Sequence, residues 1–158
     1  MSDFKKVAVL GAGAWGSSLA IILSKNIKNV SVWAREPEVV DSVKKSRTNA
    51  LFLPDIQIPE NVNFTNEPQE AIEGSELLVW GVPIQYLDST AKKFAPFVKE
   101  GAIMINAGKG IEIGTWRRPS QVLKAWAQAP QLFINYLSWG APSSGSSLEG
   151  GSPLITKH

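Results

Sequence analysis

The chain has 158 residues, 44% of them hydrophobic and 19% charged, enough for one globular domain with a real core and too few for two ordinary ones. Sixteen Lys and Arg against fourteen Asp and Glu leave a net charge of +2, and the charges are scattered, so the electrostatic footprint of a nucleic-acid binder is missing. Cysteine is absent and the single histidine, His158, is the last residue; disulfides, thiolate metal sites, cysteine nucleophiles and chemistry that needs an imidazole inside the fold are thereby excluded, and no metal site is expected. The opening residues are polar, and the apolar run from Val7 to Leu10 falls far short of a signal sequence core or a membrane span. The expectation is a cytoplasmic protein that engages neither nucleic acid nor membrane.

Short β-branched runs alternate with segments of helical periodicity. Lys6 to Leu10 reads as the first strand, and Leu19, Ile22 and Leu23 then fall on one face of a helix from about Ala14 to Lys25. Val30 to Ala34 is the second strand. Pro37 opens a second helix, where a missing N–H costs nothing, with Val39, Val40 and Val43 as the buried stripe and Lys44, Lys45 and Arg47 in or after its last turn. The stretch Thr48 to Asn61, with Pro54 and Pro59, reads as a loop, and Val62 to Thr65 as a weaker strand. Leu77 to Val82 is followed by a helix that Pro83 opens and Pro96 ends. Ala102 to Asn106, a helix opened by Pro119 and carrying Val122, Leu123 and Trp126, and Leu132 to Leu137 complete the pattern. From Ser138 to Ser152 the chain is rich in Ser and Gly, with Leu154 to Thr156 as one more candidate strand. Residues 1–137 are therefore expected to form the domain and 138–158 an irregular tail.

Strands alternating with helices predict a mostly parallel sheet covered on both faces, the α/β class. The strongest local signal sharpens this. Gly11-Ala12-Gly13-Ala14-Trp15-Gly16 is a G-x-G-x-x-G placed directly after a strand and at the opening of a helix. Gly11 allows the tight turn, Gly13 lets a pyrophosphate approach the backbone, and Gly16 lets the helix pack closely on the strand. The exposed N–H groups of the helix start, Ala14 among them, then face the anion. The expected fold is a Rossmann-type doubly wound sheet binding a dinucleotide; a glycine-rich turn serving packing alone is the competing reading.

Where an NAD site usually places an acid, at the end of the second strand, the chain reads Val32-Trp33-Ala34-Arg35-Glu36. Arg35 stands where a guanidinium meets a 2′-phosphate or covers the adenine, which points to NADP, or to both NADP and NAD; pairing of a solvated Arg35 with Glu36 or Glu38 is the alternative. Gly81, Val82 and Pro83 end the fourth strand on the same rim, with Tyr86 in the first turn of the following helix set either to cover a ring or to pack. Lys109, flanked by Gly108 and Gly110 at the end of another strand, is placed to donate to a carbonyl or phosphate, against the ordinary reading of a solvated lysine.

These residues resemble a known family. GAGAWG, VWAREPE, PDIQIPENV, the GVP turn and NAGKGIEIGT run in the order seen in the N-terminal domain of NAD(P)-dependent glycerol-3-phosphate dehydrogenases, from about Lys6 to Thr115 and more loosely to Leu137. The resemblance implies that Trp15 and Arg35 contact the dinucleotide. It implies too that Lys109 touches both cofactor and substrate, orienting the latter without being the main acid/base. The substrate would be a small phosphorylated one, dihydroxyacetone phosphate or glycerol 3-phosphate, with a homodimer as one option for assembly. The family's Leu-Ser-Gly-Pro-Ser is replaced by Leu137-Ser138-Trp139-Gly140-Ala141-Pro142-Ser143, which makes Gly140 and Ser143 the equivalents of its substrate-contacting Gly and Ser. Family members also carry a helical substrate domain with the general acid/base lysine, which this sequence lacks, so the chain alone is expected to be catalytically incomplete. A non-catalytic dinucleotide-binding module and a two-domain 2-keto acid reductase are the alternatives; KGIE argues against the second.

Overall fold

The computed structural model describes residues 4–126 and, beyond them, the backbone of two strands, Leu132–Asn135 and Ile155–Thr156. Strand β1 (Lys6–Leu10) lies inside the sheet, and Val7, Ala8, Val9 and Leu10 are all fully buried. Such an uninterrupted apolar run is what a parallel strand needs when helices cover both of its faces.

After β1 come α1 (Ala14–Ser24), β2 (Asn29–Trp33), α2 (Pro37–Ser46), the short strands β3 (Thr48–Asn49) and β4 (Leu53–Gln57), and β5 (Val62–Thr65). Then follow α3 (Pro68–Ile72), β6 (Leu77–Trp80), α4 (Ile84–Phe94), a 3-10 turn (Ala95–Phe97), β7 (Ile103–Asn106), α5 (Pro119–Trp126), β8 (Leu132–Asn135) and β9 (Ile155–Thr156). The main sheet has the order β5-β2-β1-β6-β7-β8-β9. Its strands are parallel from β5 to β8, and β9 alone joins antiparallel. The chain builds outward from β1 through β2 to β5, then returns to the other side of β1 with β6. The strand order therefore reverses between β1 and β6, and a crevice opens at the carboxyl ends there.

Alternation along the strands sorts the core into two layers. Val7 and Val9 of β1, Val30 and Val32 of β2, and Leu77 and Val79 of β6 face α1 and α2, where Ala20, Val39, Val40 and Val43 meet them. Ala8, Leu10, Leu78 and Trp80 face the opposite way, against α3, α4 and α5. On α4 the buried positions Ile84, Leu87, Ala91 and Phe94 follow helical spacing. Phe94 stands edge-on to both Trp33 and Trp80, at centroid distances of 5.1 and 5.9 Å, an arrangement favourable beyond its buried area.

The fold class, the strands and the longer helices agree with the expectation. Two segments do not. Thr48 to Asn61, read as a loop, contains the antiparallel ribbon of β3 and β4. Its strands are too short, and too interrupted by Pro54, for hydrophobic alternation to reveal them. The ribbon is held by side chains instead: Ser42 Oγ donates to the Thr48 carbonyl at 2.7 Å and accepts from the Ala50 N–H. Helix α3 was likewise not anticipated, because five residues give no readable period.

Candidate functional site

Three strand ends finish level: Leu10 is in register with Trp33 on one side and Trp80 on the other. The ladder continues into the loops beyond, with Gly11 N–H bonded to the Trp33 carbonyl at 3.1 Å and Gly81 N–H to the Leu10 carbonyl at 2.9 Å. The rim they form encloses a cleft of about 320 Å³, the size of a small-molecule site. Gly11 to Gly16 floor it, Arg35 and Glu36 come from the end of β2, Gly81, Val82 and Pro83 from the end of β6, and Tyr86 and Thr90 from α4.

The glycines divide their work as the motif predicts. Gly11 has a φ of +114°, which side-chain-bearing residues rarely adopt. A Cβ on Gly16 would lie 1.8 Å from the Gly11 carbonyl oxygen, so α1 can start this close to β1 only with glycine there. A Cβ on Gly13 would meet nothing within 4 Å. It would project into open space at the cleft wall, where a ligand's phosphates need to come near the backbone. Gly13 is the N-cap of α1, no side chain caps the helix, and its first turn carries no acid. The N–H groups of that turn and the positive end of the helix dipole are thus left for an anion.

Arg35 is largely exposed, its guanidinium 5.7 Å from the centroid of the Tyr86 ring. Its Nε and Nη2 donate to Glu36 Oε1 at 2.9 and 2.6 Å. Arg35 therefore lines the cleft and at the same time pairs with Glu36. Trp15 is half exposed, and its Nε1 donates to the Ala107 carbonyl at 3.0 Å. That bond ties the start of α1 to the segment carrying Lys109. Lys109 itself is exposed, does not line the cleft, and takes part in none of the ion pairs among the described residues. Gly140 and Ser143 lie outside the described residues.

The segment 107–118 is fastened from below. Gln85 on the first turn of α4 donates to the Ile111 carbonyl and accepts from the Ile113 N–H, at 3.3 and 3.2 Å. Arg117 bonds Glu112 at 2.8 Å and Asp88 at 3.0 Å. The Arg117 and Thr115 hydrogen bonds hold the Glu112 carboxyl below its ordinary range. The Trp126 indole does the same for Asp88, and Arg117 adds to it, against the opposing effect of burial.

Sequence reasoning missed Phe52, Thr90 and Asn49. Phe52 enters the cleft from the β3–β4 ribbon, and the only sequence cue was a large aromatic in a polar, proline-bearing stretch. Thr90 lies one turn beyond Tyr86, on the same side of α4. Asn49 is fully buried beneath the glycine-rich turn, a place no local pattern predicts for a loop asparagine.

A family model described as NAD-dependent glycerol-3-phosphate dehydrogenase N-terminus matches residues 6–142. A glycerol-3-phosphate dehydrogenase (NAD(P)+) of Mycobacterium bovis is 40% identical over 150 residues, 95% of this chain and 44% of the relative. One of Geobacter metallireducens is 40% identical over 121 residues, 77% of this chain and 36% of the relative. The chain thus spans less than half the length of these curated relatives. Among solved structures, a glycerol-3-phosphate dehydrogenase from Coxiella burnetii superposes with a TM-score of 0.75 at 23% identity, covering 83% of this chain and 40% of that one. A ketopantoate reductase from Ralstonia eutropha gives 0.62 at 20% identity, covering 82% and 40%. At these identities the structures establish a shared fold.

Two outcomes follow from the site's geometry. Thermal denaturation should show Gly16→Ala destabilised by on the order of 3 kcal/mol, since backbone must move, while Gly13→Ala costs about 1 kcal/mol or less, the difference between two N-cap residues; equal losses would contradict the division of roles. Because the Asp88 and Glu112 pKa values are lowered on folding, their contribution is complete above the ordinary carboxylate pKa and is lost as pH falls through the lowered values. Protection of the Ile113 and Trp116 amides from exchange, relative to their intrinsic rates, should accordingly fall below about pH 4, and Arg117→Ala should move that onset to higher pH.

Proposed function

The chain belongs to the NAD-dependent glycerol-3-phosphate dehydrogenase N-terminus family, and from that premise we propose that residues 1–137 hold the dinucleotide of an enzyme that interconverts dihydroxyacetone phosphate and glycerol 3-phosphate. The observation that carries this reading is the open wall at Gly13 beside an uncapped helix start, at the point where the strand order reverses. A dinucleotide's pyrophosphate is the anion that such a backbone cradle fits. When bound, the nicotinamide supplies hydride chemistry.

This chain's own residues bind and orient. The first-turn N–H groups of α1 neutralise the pyrophosphate without a side chain. Arg35, beside the Tyr86 ring, meets the adenosine end, where the Nη1 side of its guanidinium, turned away from Glu36, fits a 2′-phosphate. Val82 and Pro83, at the end of β6, flank the nicotinamide end. Lys109 neutralises charge on the cofactor and on the substrate phosphate; it takes part in no ion pair among the described residues, which leaves its ammonium available, and the bond from Trp15 to Ala107 keeps its segment at the cleft rim. Gly140 and Ser143 are assigned to the substrate by family resemblance. The curated relatives are named for glycerol 3-phosphate and extend far beyond the length matched here, and the proton donor is assigned to the part that they carry beyond the match. A cytoplasmic location, with a homodimer as the option for assembly, follows the same family reading. Ketopantoate reductase shares the fold alone, and the family match favours the phosphorylated substrate.

Quenching of tryptophan emission on titration with NADPH and NADH tests the proposal. Saturable binding is expected, with Gly13→Ala abolishing it for both nucleotides and Arg35→Ala weakening NADPH by about ten- to a hundredfold, the scale of a hydrogen bond to a charged group, and NADH less. No binding of either nucleotide to the folded chain would overturn the reading.

A further inference from the structure

The structure assigns to Asn49 a positioning role: its buried amide locks the peptide between Ala12 and Gly13 so that the Gly13 N–H is held toward the dinucleotide's pyrophosphate. This rests on the dinucleotide reading above and adds to it a residue from outside the glycine-rich motif. Asn49 is 0% exposed, and all of its hydrogen-bonding is directed. Nδ2 donates to the Ala12 carbonyl at 2.8 Å and to Ser17 Oγ at 2.9 Å, and Oδ1 accepts from the Phe52 N–H at 3.1 Å. Ser17, also fully buried, adds its own hydroxyl to the same Ala12 carbonyl at 3.2 Å.

The Ala12 carbonyl is thus gripped from the interior by two side chains, one from β3 and one from α1. In a planar trans peptide the carbonyl and the following N–H point in opposite directions. An Ala12 oxygen drawn inward therefore turns the Gly13 N–H outward, on the side where the cleft lies. A glycine that lacks a side chain and borders open space has little else to fix its preceding peptide. A buried amide is costly unless it is satisfied; this one is satisfied by the turn, by Ser17 of α1 and by the ribbon residue that lines the cleft. One side chain thereby sets the turn's donor and the position of Phe52 together.

The test uses Asn49→Ala and Ser17→Ala, each compared with the unmodified chain for binding of NADH and of adenosine, which lacks the pyrophosphate, by NMR titration, with unfolding temperature recorded alongside. Asn49→Ala should lose about tenfold in NADH affinity and Ser17→Ala about threefold, the scale of one neutral hydrogen bond or part of one, with adenosine affinity unchanged in Ser17→Ala, which leaves the anchor of Phe52 in place. A purely structural role lowers the unfolding temperature without this selectivity. Should Asn49→Ala fail to fold, Ser17→Ala decides alone. Undiminished NADH affinity in a folded variant, or an equal loss for both ligands in Ser17→Ala, overturns the positioning role and leaves the dinucleotide reading intact. Failure of the unmodified chain to bind NADH overturns the dinucleotide reading itself, and the positioning role with it.

Discussion

Helix α1 starts so close to the end of β1 that no atom beyond hydrogen fits on Gly16 opposite the Gly11 carbonyl. Everything at the site depends on that approach. It places the uncapped end of an 11-residue helix, with its unpaired N–H groups, over the carboxyl edge of the sheet. It also brings the reversal between β1 and β6 directly under that helix end, so that the crevice and the anion-binding donors coincide. A wider spacing would leave both features present and apart.

The surroundings add directed hydrogen bonds to the apolar packing of this arrangement. Asn49 and Ser17 grip the turn from the interior, Trp15 ties the helix start to the strand end at Ala107, and Gln85 and Arg117 fasten the segment beyond it to α4. The two apolar layers fix the strands, and the polar bonds then fix the loops that the strands present. Such a division suits a binding site, because packing is non-directional whereas hydrogen bonds set the orientation of individual peptides and side chains.

The sheet, the longer helices and the glycine-rich turn were legible because each rests on local chemistry. β1 shows as an apolar run, α2 and α4 as amphipathic stripes opened at Pro37 and by Pro83, and the turn as three glycines with separate steric reasons. The β3–β4 ribbon was not legible. It is held by Ser42 of α2 and by Asn49 of β3, whose side chain is buried beneath the glycine-rich turn, and single-sequence periodicity carries no trace of such bonds. Arg35 was legible both as a residue at the cleft and as a partner of Glu36, whereas its contact with Tyr86 was not, since that contact joins separate elements. Lys109 was legible as a lysine on the rim, and only the structure shows that it stands clear of the cleft lining while its segment is held to the site.

The most direct measurement is a crystal structure of the chain grown with NADH. Pyrophosphate oxygens are expected within hydrogen-bonding distance of the Gly13 and Ala14 N–H groups, with the adenosine end beside Arg35 and Tyr86. A dinucleotide bound elsewhere, or in this cleft with its phosphates turned away from Gly13, would contradict this placement.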